Sequence, residues 1–158
     1  MTKYEELLHE AINDGISVDE DYSFKGEFSG LYIDGNIALS DRLHTTPEKA
    51  CVLAEEIGHH YTSVGNILDM SDTRNRKQER QARLWAYNKL IGLSGIIEAF
   101  EHGCQSRYEM AEYLEVTEEF LEECVACYRN KYGVGTTLDN YYIMFIPNLN
   151  VGRIDFSM

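Results

Sequence analysis

The sequence predicts an α+β protein, because strand signals and helix signals are both present and occupy separate stretches of the chain. Asp34-Gly35-Asn36 lies between two short apolar runs, 31–33 and 37–39, a pattern typical of a β-hairpin. Helical periodicity then dominates from residue 45 to about residue 128, and the apolar run 141–146 indicates a strand. The expected architecture is a helical core with a small N-terminal hairpin or sheet, followed by a C-terminal helical pair and a terminal strand.

The segments before the hairpin are short. Thr2 and Glu5 form a capping-box pattern at the start of an amphipathic helix, and Asp14-Gly15 is a typical helix end. Residues 16–30 are rich in Gly, Asp and Ser, so they are expected to be irregular or weakly stranded.

The next helix has a strong start at Thr45-Thr46-Pro47-Glu48, with a capping threonine and a proline in the first turn. An apolar stripe follows at helical spacing and is expected to face the core: Ala50, Leu53, Ala54, Ile57 and Tyr61. Glu55 and His59 project from roughly the opposite side. That side faces either solvent or a cleft closed by another element.

A third helix carries a carboxylate on its apolar stripe. The stripe consists of Glu79, Ala82, Ala86, Leu90 and Leu93. A buried carboxylate is costly unless a cation or hydrogen-bond donors satisfy it, so Glu79 suggests a metal held between the two helices. The two alanines would let the helices approach closely. The alternative is that Glu79 pairs with an arginine or lies in a frayed helix start.

The remaining chain is expected to be helical to Phe100, with a break at His102-Gly103. Residues 106–128 then form a helix-turn-helix-like pair, whose second helix is acidic and therefore unsuited to reading DNA. We predict a core of residues 1–95 and a second segment, 96–158, containing this pair and the terminal strand. The two are expected to pack as one compact unit.

Composition narrows the function classes. The 158-residue chain can bury a real core, and its formal charge of −13 argues against binding nucleic acid or an anionic membrane. No apolar run reaches the length of a membrane span, and the start of the chain does not resemble a signal peptide. The expected location is the cytoplasm. The single Cys124-x-x-Cys127 pair lacks the further ligands of a structural zinc site.

Basic residues are concentrated around the third helix, at Arg74, Arg76, Lys77, Arg80, Arg83 and Lys89. This basic stretch is either a solvated helix face or a rim that orients an acidic partner. Residues 98–127 contain nine glutamates against the single basic residue Arg107.

The chemistry centres on Glu55-Glu56-Ile57-Gly58-His59-His60. This is the His-Glu-x-x-His zinc-peptidase pattern with glutamate at its first position. Residues four apart on a helix point the same way, so Glu55 and His59 could share one metal. Glu56 would then act on the attacking water rather than on the metal. The shifted register, Glu56 with His60, would place Ile57 where the general base is needed.

These residues, the hairpin and the Glu79-x-x-Ala82-x-x-Trp85-Ala86 helix resemble the ImmA/IrrE metallopeptidases, most clearly over residues 30–95. The resemblance implies a gluzincin-like zinc peptidase of mixed α and β structure, a zincin-like core. Characterised members cleave helix-turn-helix repressors and so release the genes of a mobile element or a stress response.

The resemblance implies a role for each residue of the motif. Glu55, His59 and Glu79 would be the metal ligands, and Glu56 the catalytic glutamate. His60 would support the ligands or donate to the transition state. Glu55 stands where most members have histidine; glutamate is a competent zinc ligand, but its extra charge weakens the Lewis acid and favours manganese as the alternative ion. A damaged site is the other interpretation.

Two functions from different classes follow. The first is a metal-dependent endopeptidase, with zinc or manganese, that cleaves a partner repressor of a phage or mobile element. The second is a non-catalytic antirepressor that keeps the fold and sequesters its partner. Glu56 discriminates between them, because only the peptidase needs its carboxylate.

Overall fold

The computed structural model describes residues 1–62 and 73–154, which form six helices and six strands. They belong to two compact units, Met1–Lys89 and Leu90–Met158. This mixture of helices and two small sheets confirms the predicted α+β class. No helix in the described ranges is long and apolar enough to cross a membrane.

The first unit combines three helices with one sheet. Its elements, in order, are α1 (Lys3–Asn13), β1 (Ser17–Tyr22), β2 (Gly30–Ile33), β3 (Asn36–Ser40), α2 (Thr46–Thr62) and α3 (Thr73–Leu90), the last of which ends one residue beyond the unit. The Thr2 side chain and Glu5 make the predicted capping box at α1. At α2, the Thr45 hydroxyl accepts a hydrogen bond from the Glu48 amide at 3.2 Å.

The sheet of the first unit has the strand order β1-β3-β2. β2 and β3 form the predicted antiparallel hairpin, with Tyr32 opposite Ile37 and positive φ at Asp34 and Gly35. β1 pairs in parallel with β3, so part of the segment expected to be irregular or weakly stranded is a strand. β2 is therefore an edge strand, and α2 packs against β2, β3 and α1.

α2 and α3 approach each other closely at Gly58. A Cβ atom at this position would lie 2.5 Å from the backbone oxygen of Ala82, so only glycine fits without a shift of one helix. Ala82 and Ala86 are fully buried, in agreement with the predicted close approach. This contact determines how near the side chains of α3 come to those of α2.

The second unit is also mixed, with helices α4 (Gly92–His102), α5 (Arg107–Leu114) and α6 (Glu118–Tyr132), followed by strands β4 (Gly135–Leu138), β5 (Tyr141–Met144) and β6 (Asn150–Arg153). α5 and α6 are the predicted helical pair, capped by Ser106 and Thr117. The predicted terminal strand is β5, which lies in the middle of an antiparallel sheet between β4 and β6. Its neighbours have too little apolar alternation to be recognised in the sequence.

One core residue was predicted wrongly. Tyr61 continues the apolar stripe of α2, but 49% of its surface is exposed. Its hydroxyl donates a hydrogen bond to the carboxylate of Asp14, and its ring lies 5.5 Å from the ring of Trp85. A tyrosine near a helix end can bury one side of its ring while its polar tip reaches solvent, which explains the difference.

Candidate metal centre

Three side chains from α2 and α3 converge on one point. Glu55, His59 and Glu79 each offer one ligand atom, and these atoms lie within 4.8 Å of one another. His59 Nε2 is 2.9 Å from Glu79 Oε2, and the side chains of His59 and Glu79 are 3% and 17% exposed. The three residues that the resemblance implied as ligands are thus together in space.

The secondary structure explains this convergence. Glu55 and His59 are one helical turn apart on α2, so they project from the same side. Glu79 comes from α3, and the tight Gly58–Ala82 contact draws that helix near enough for its carboxylate to reach His59. Each candidate ligand therefore projects from a helix rather than from a loop.

The donor set fits a divalent metal ion. Two carboxylates and one imidazole are ligands that zinc accepts, and the oxygen-rich set also suits manganese. Burial and the neighbouring Glu79 raise the pKa of Glu55, whereas the hydrogen bond from His59 lowers the pKa of Glu79. Carboxylates crowded in this way repel each other, and a cation between them would relieve that repulsion.

Glu56 faces the same cleft but is not one of the three converging ligands. It is buried, and burial together with the charge of Glu79 raises its pKa from 4.5 to about 8. A carboxyl group with a pKa near neutrality is suited to accept and return a proton.

Gly30, at the start of β2, makes room for Glu56. A Cβ atom on this glycine would be 3.2 Å from Glu56 Cγ and 2.6 Å from Val52 Cγ1. Any larger residue would displace one of these side chains. The edge strand therefore passes directly beside the candidate general base.

Arg83 connects the two acidic candidate ligands, Glu55 and Glu79. Its Nε is 3.3 Å from Glu55 Oε1 and 3.5 Å from Glu79 Oε1. The alternative considered for Glu79, pairing with an arginine, is thus also present, alongside the contact with His59. Arg83 follows Glu79 by one turn of α3, a spacing from which the contact could have been inferred.

The cleft around these residues has a volume of about 320 Å³. Its lining combines the site residues with the edge of the sheet, namely Phe28, Ser29, Gly30, Leu31, Tyr32, Val52, Glu55, Glu56, His59, Glu79 and Arg83. His60 does not line it. Instead, the Tyr32 hydroxyl is hydrogen-bonded to His60 Nδ1 at 2.7 Å.

Tyr32 is a cleft residue that the sequence analysis did not assign to the site. It lies in β2, opposite Ile37, and nothing in the local pattern distinguishes it from any other strand tyrosine. Only the packing of α2 on the hairpin brings it to His60, a long-range contact that periodicity cannot predict.

At least two members of the basic stretch form ion pairs with carboxylates of the first unit, although their side chains are also exposed. Arg83 contacts two carboxylates, and Lys89 Nζ is 2.7 Å from Glu10 Oε2. Lys77 and Arg80 are exposed, and the side chain of Arg74 lies outside the described residues. Part of the stretch therefore serves the site itself.

Comparison with known families extends the match beyond the motif. The model of the IrrE N-terminal-like domain, Peptidase_M78, matches residues 6–125, well over half of the chain. The matched span includes the three candidate ligands, Glu56 and the β2–β3 hairpin. No curated protein and no solved structure gives a significant match.

Proposed function

The chain belongs to the Peptidase_M78 family of IrrE N-terminal-like domains, and we propose that it is a metal-dependent endopeptidase that cleaves a helix-turn-helix repressor of a phage or mobile element. Family membership supports the general class, a metallopeptidase. The observation that carries the proposal for this chain is the convergence of Glu55, His59 and Glu79 beside the buried Glu56.

The metal would be held by Glu55, His59 and Glu79. Zinc, or alternatively manganese, would act when bound as a Lewis acid toward the scissile carbonyl and the attacking water. Binding requires deprotonated ligands, and the low pKa of Glu79 favours this state. His59 is held against Glu79, so two of the three ligands are already in contact.

Glu56 is proposed as the general base. Its carboxylate takes a proton from the attacking water and then returns it to the leaving amine. The raised pKa supports this role, because a group that titrates near neutrality can carry out both transfers. Gly30 keeps the space for this carboxylate open.

Substrate would be aligned by the edge of β2. An extended peptide can add to an exposed strand edge through main-chain hydrogen bonds, and among the described strands β2 is at an edge of its sheet and lines the cleft. His60 would contribute through Tyr32, which lines the cleft. The exposed members of the basic stretch would help orient an acidic partner.

The proposal is tested by metal analysis and single substitutions. Protein purified without added metal should contain about one zinc or manganese ion per chain, and Glu55→Ala and His59→Ala should both lose it. Glu56→Gln should keep the metal and the fold, but turnover of a repressor encoded beside the gene should fall at least about a thousandfold.

Glu98→Gln is the matched control, because it makes the same chemical change at an exposed position of α4. It should retain the parent's turnover. A parent that takes up neither metal when supplied in excess contradicts the proposal. A Glu56→Gln variant that still inactivates the repressor without cleaving it supports the antirepressor instead.

A further inference from the structure

We propose that Arg83 is a positioning residue that compensates for the glutamate at position 55, so that Glu55 and Arg83 act as one unit in tuning the metal affinity of the site. The inference rests on the proposed function and adds a residue that the motif does not contain. On this interpretation, glutamate at position 55 belongs to a working metal site rather than to a damaged one.

The contacts of Arg83 support this pairing. Its guanidinium lies between the two acidic ligands, which reach it from different helices. Glu79 divides its two oxygens, with Oε2 toward His59 and Oε1 toward Arg83. A metal bound through the carboxylate oxygens that do not contact Arg83 would leave the contacts of Arg83 with Glu55 Oε1 and Glu79 Oε1 in place.

Charge balance gives the physical reason. A divalent ion held by two imidazoles and one carboxylate forms a centre with one net positive charge. When a second carboxylate replaces an imidazole, the centre becomes neutral, which weakens its attraction for the developing oxyanion. Arg83 returns one positive charge, and arginine stays protonated at every working pH.

The effect should be moderate. The Arg83 side chain is 52% exposed, so water screens its charge, and an ordinary surface pair contributes little. The contact with Glu79 alone could be a routine i, i+4 helix pair. The contact with Glu55 crosses between helices and has no such explanation.

The pairing of Glu55 with Arg83 leads to an unusual expectation for metal affinity when position 55 carries the histidine that most family members have. With histidine at position 55, Arg83 would lose one of its two carboxylate partners and lie beside a centre that is already positive. Restoring the consensus residue alone should therefore weaken metal binding, and removing Arg83 in that background should recover it.

The experiment is a double-mutant cycle on the full chain with Glu55→His, Arg83→Gln and the double variant. Zinc and manganese dissociation constants are measured by chelator competition at one fixed pH. Arg83→Gln should tighten zinc binding about tenfold in the Glu55→His background and change it less than about threefold in the parent. Circular dichroism verifies that each variant is folded.

Arg80→Gln is the matched control, since it removes the same charge from an exposed position of the same helix. It should change zinc affinity less than about threefold in both backgrounds. An Arg83→Gln effect that is equal in the two backgrounds overturns the inference while the proposed function stands. A parent chain that binds neither metal overturns both.

Discussion

The two units bury different kinds of side chain. In the first unit, the buried residues include Ser40, Glu56 and His59, alongside the apolar core. In the described part of the second unit, the buried side chains are aliphatic, aromatic or thiol groups, such as Leu121 and Phe145. Burying a carboxyl group reduces stability, and buried titratable groups are concentrated at functional sites.

The thiols of the second unit illustrate the contrast. Burial raises the pKa of the Cys124 thiol to about 12 and also raises that of Cys127, which disfavours the thiolate form of both. Substitutions in the second unit should therefore affect mainly stability. Substitutions in the first unit should also affect metal binding and turnover.

The largest effect on stability is expected from Leu121→Ala. Leu121 is fully buried in α6, and its truncation should lower the free energy of unfolding by about 2–5 kcal/mol. Turnover per folded molecule should not change at a temperature where the variant is folded. Urea unfolding and a repressor-cleavage assay measure the two quantities.

Leu53→Ala is the matched comparison, because Leu53 is equally buried but lies in α2 two residues before Glu55. It should destabilise the protein to a similar degree and also weaken metal binding. Equal losses of turnover per folded molecule in both variants would remove the functional distinction between the units.

The next effect in size is expected from Gly58→Ala. The added methyl group would meet the Ala82 backbone oxygen at 2.5 Å, so α3 must move away from α2. Such overpacking costs about 1–3 kcal/mol of unfolding free energy. Because Glu79 moves with α3, metal affinity should fall as well. Gly103→Ala, at a helix end in the second unit, should destabilise through its positive φ without altering metal affinity.

The sequence predicted the parts of the site that depend on local pattern. Glu55 and His59 could be placed together because one helix determines their spacing, and Glu79 because its stripe faces inward. Tyr32 and the contact of Arg83 with Glu55 were missed, since both depend on packing between elements distant in the chain. The parallel pairing of β1 is non-local for the same reason.

A smaller effect, dependent on pH, is expected for Glu56→Gln in metal-free protein. The pKa of Glu56 is raised from 4.5 to about 8, so the folded state binds this proton more tightly than the unfolded chain does. As the pH rises through that window, ionisation of Glu56 destabilises the parent but not the variant. The variant should therefore gain about 2 kcal/mol relative to the parent between pH 5 and pH 6.5, because each pH unit between the two pKa values contributes about 1.4 kcal/mol.

Urea unfolding at these two pH values measures the gain. Glu98→Gln, at its exposed position, should differ from the parent equally at both. A Glu56→Gln difference that does not grow with pH would mean that the carboxyl is as well solvated in the folded protein as in the unfolded chain. Glu56 would then no longer be an example of a costly buried carboxyl group in the first unit.

The smallest effect on stability is expected from Tyr32→Phe, which removes one hydrogen bond to His60 and should cost about 1 kcal/mol. Its effect on turnover should be larger, about tenfold, because Tyr32 lines the cleft and His60 reaches the cleft only through it. The effects of two substitutions that break the same contact should not add. His60→Ala should therefore reduce turnover little further in the Tyr32→Phe background. Additive losses would instead mean that His60 meets the substrate independently of Tyr32. In either case, Tyr32→Phe would lower the free energy of unfolding less than Leu121→Ala does, yet lower turnover more. The different buried groups of the two units predict this relation.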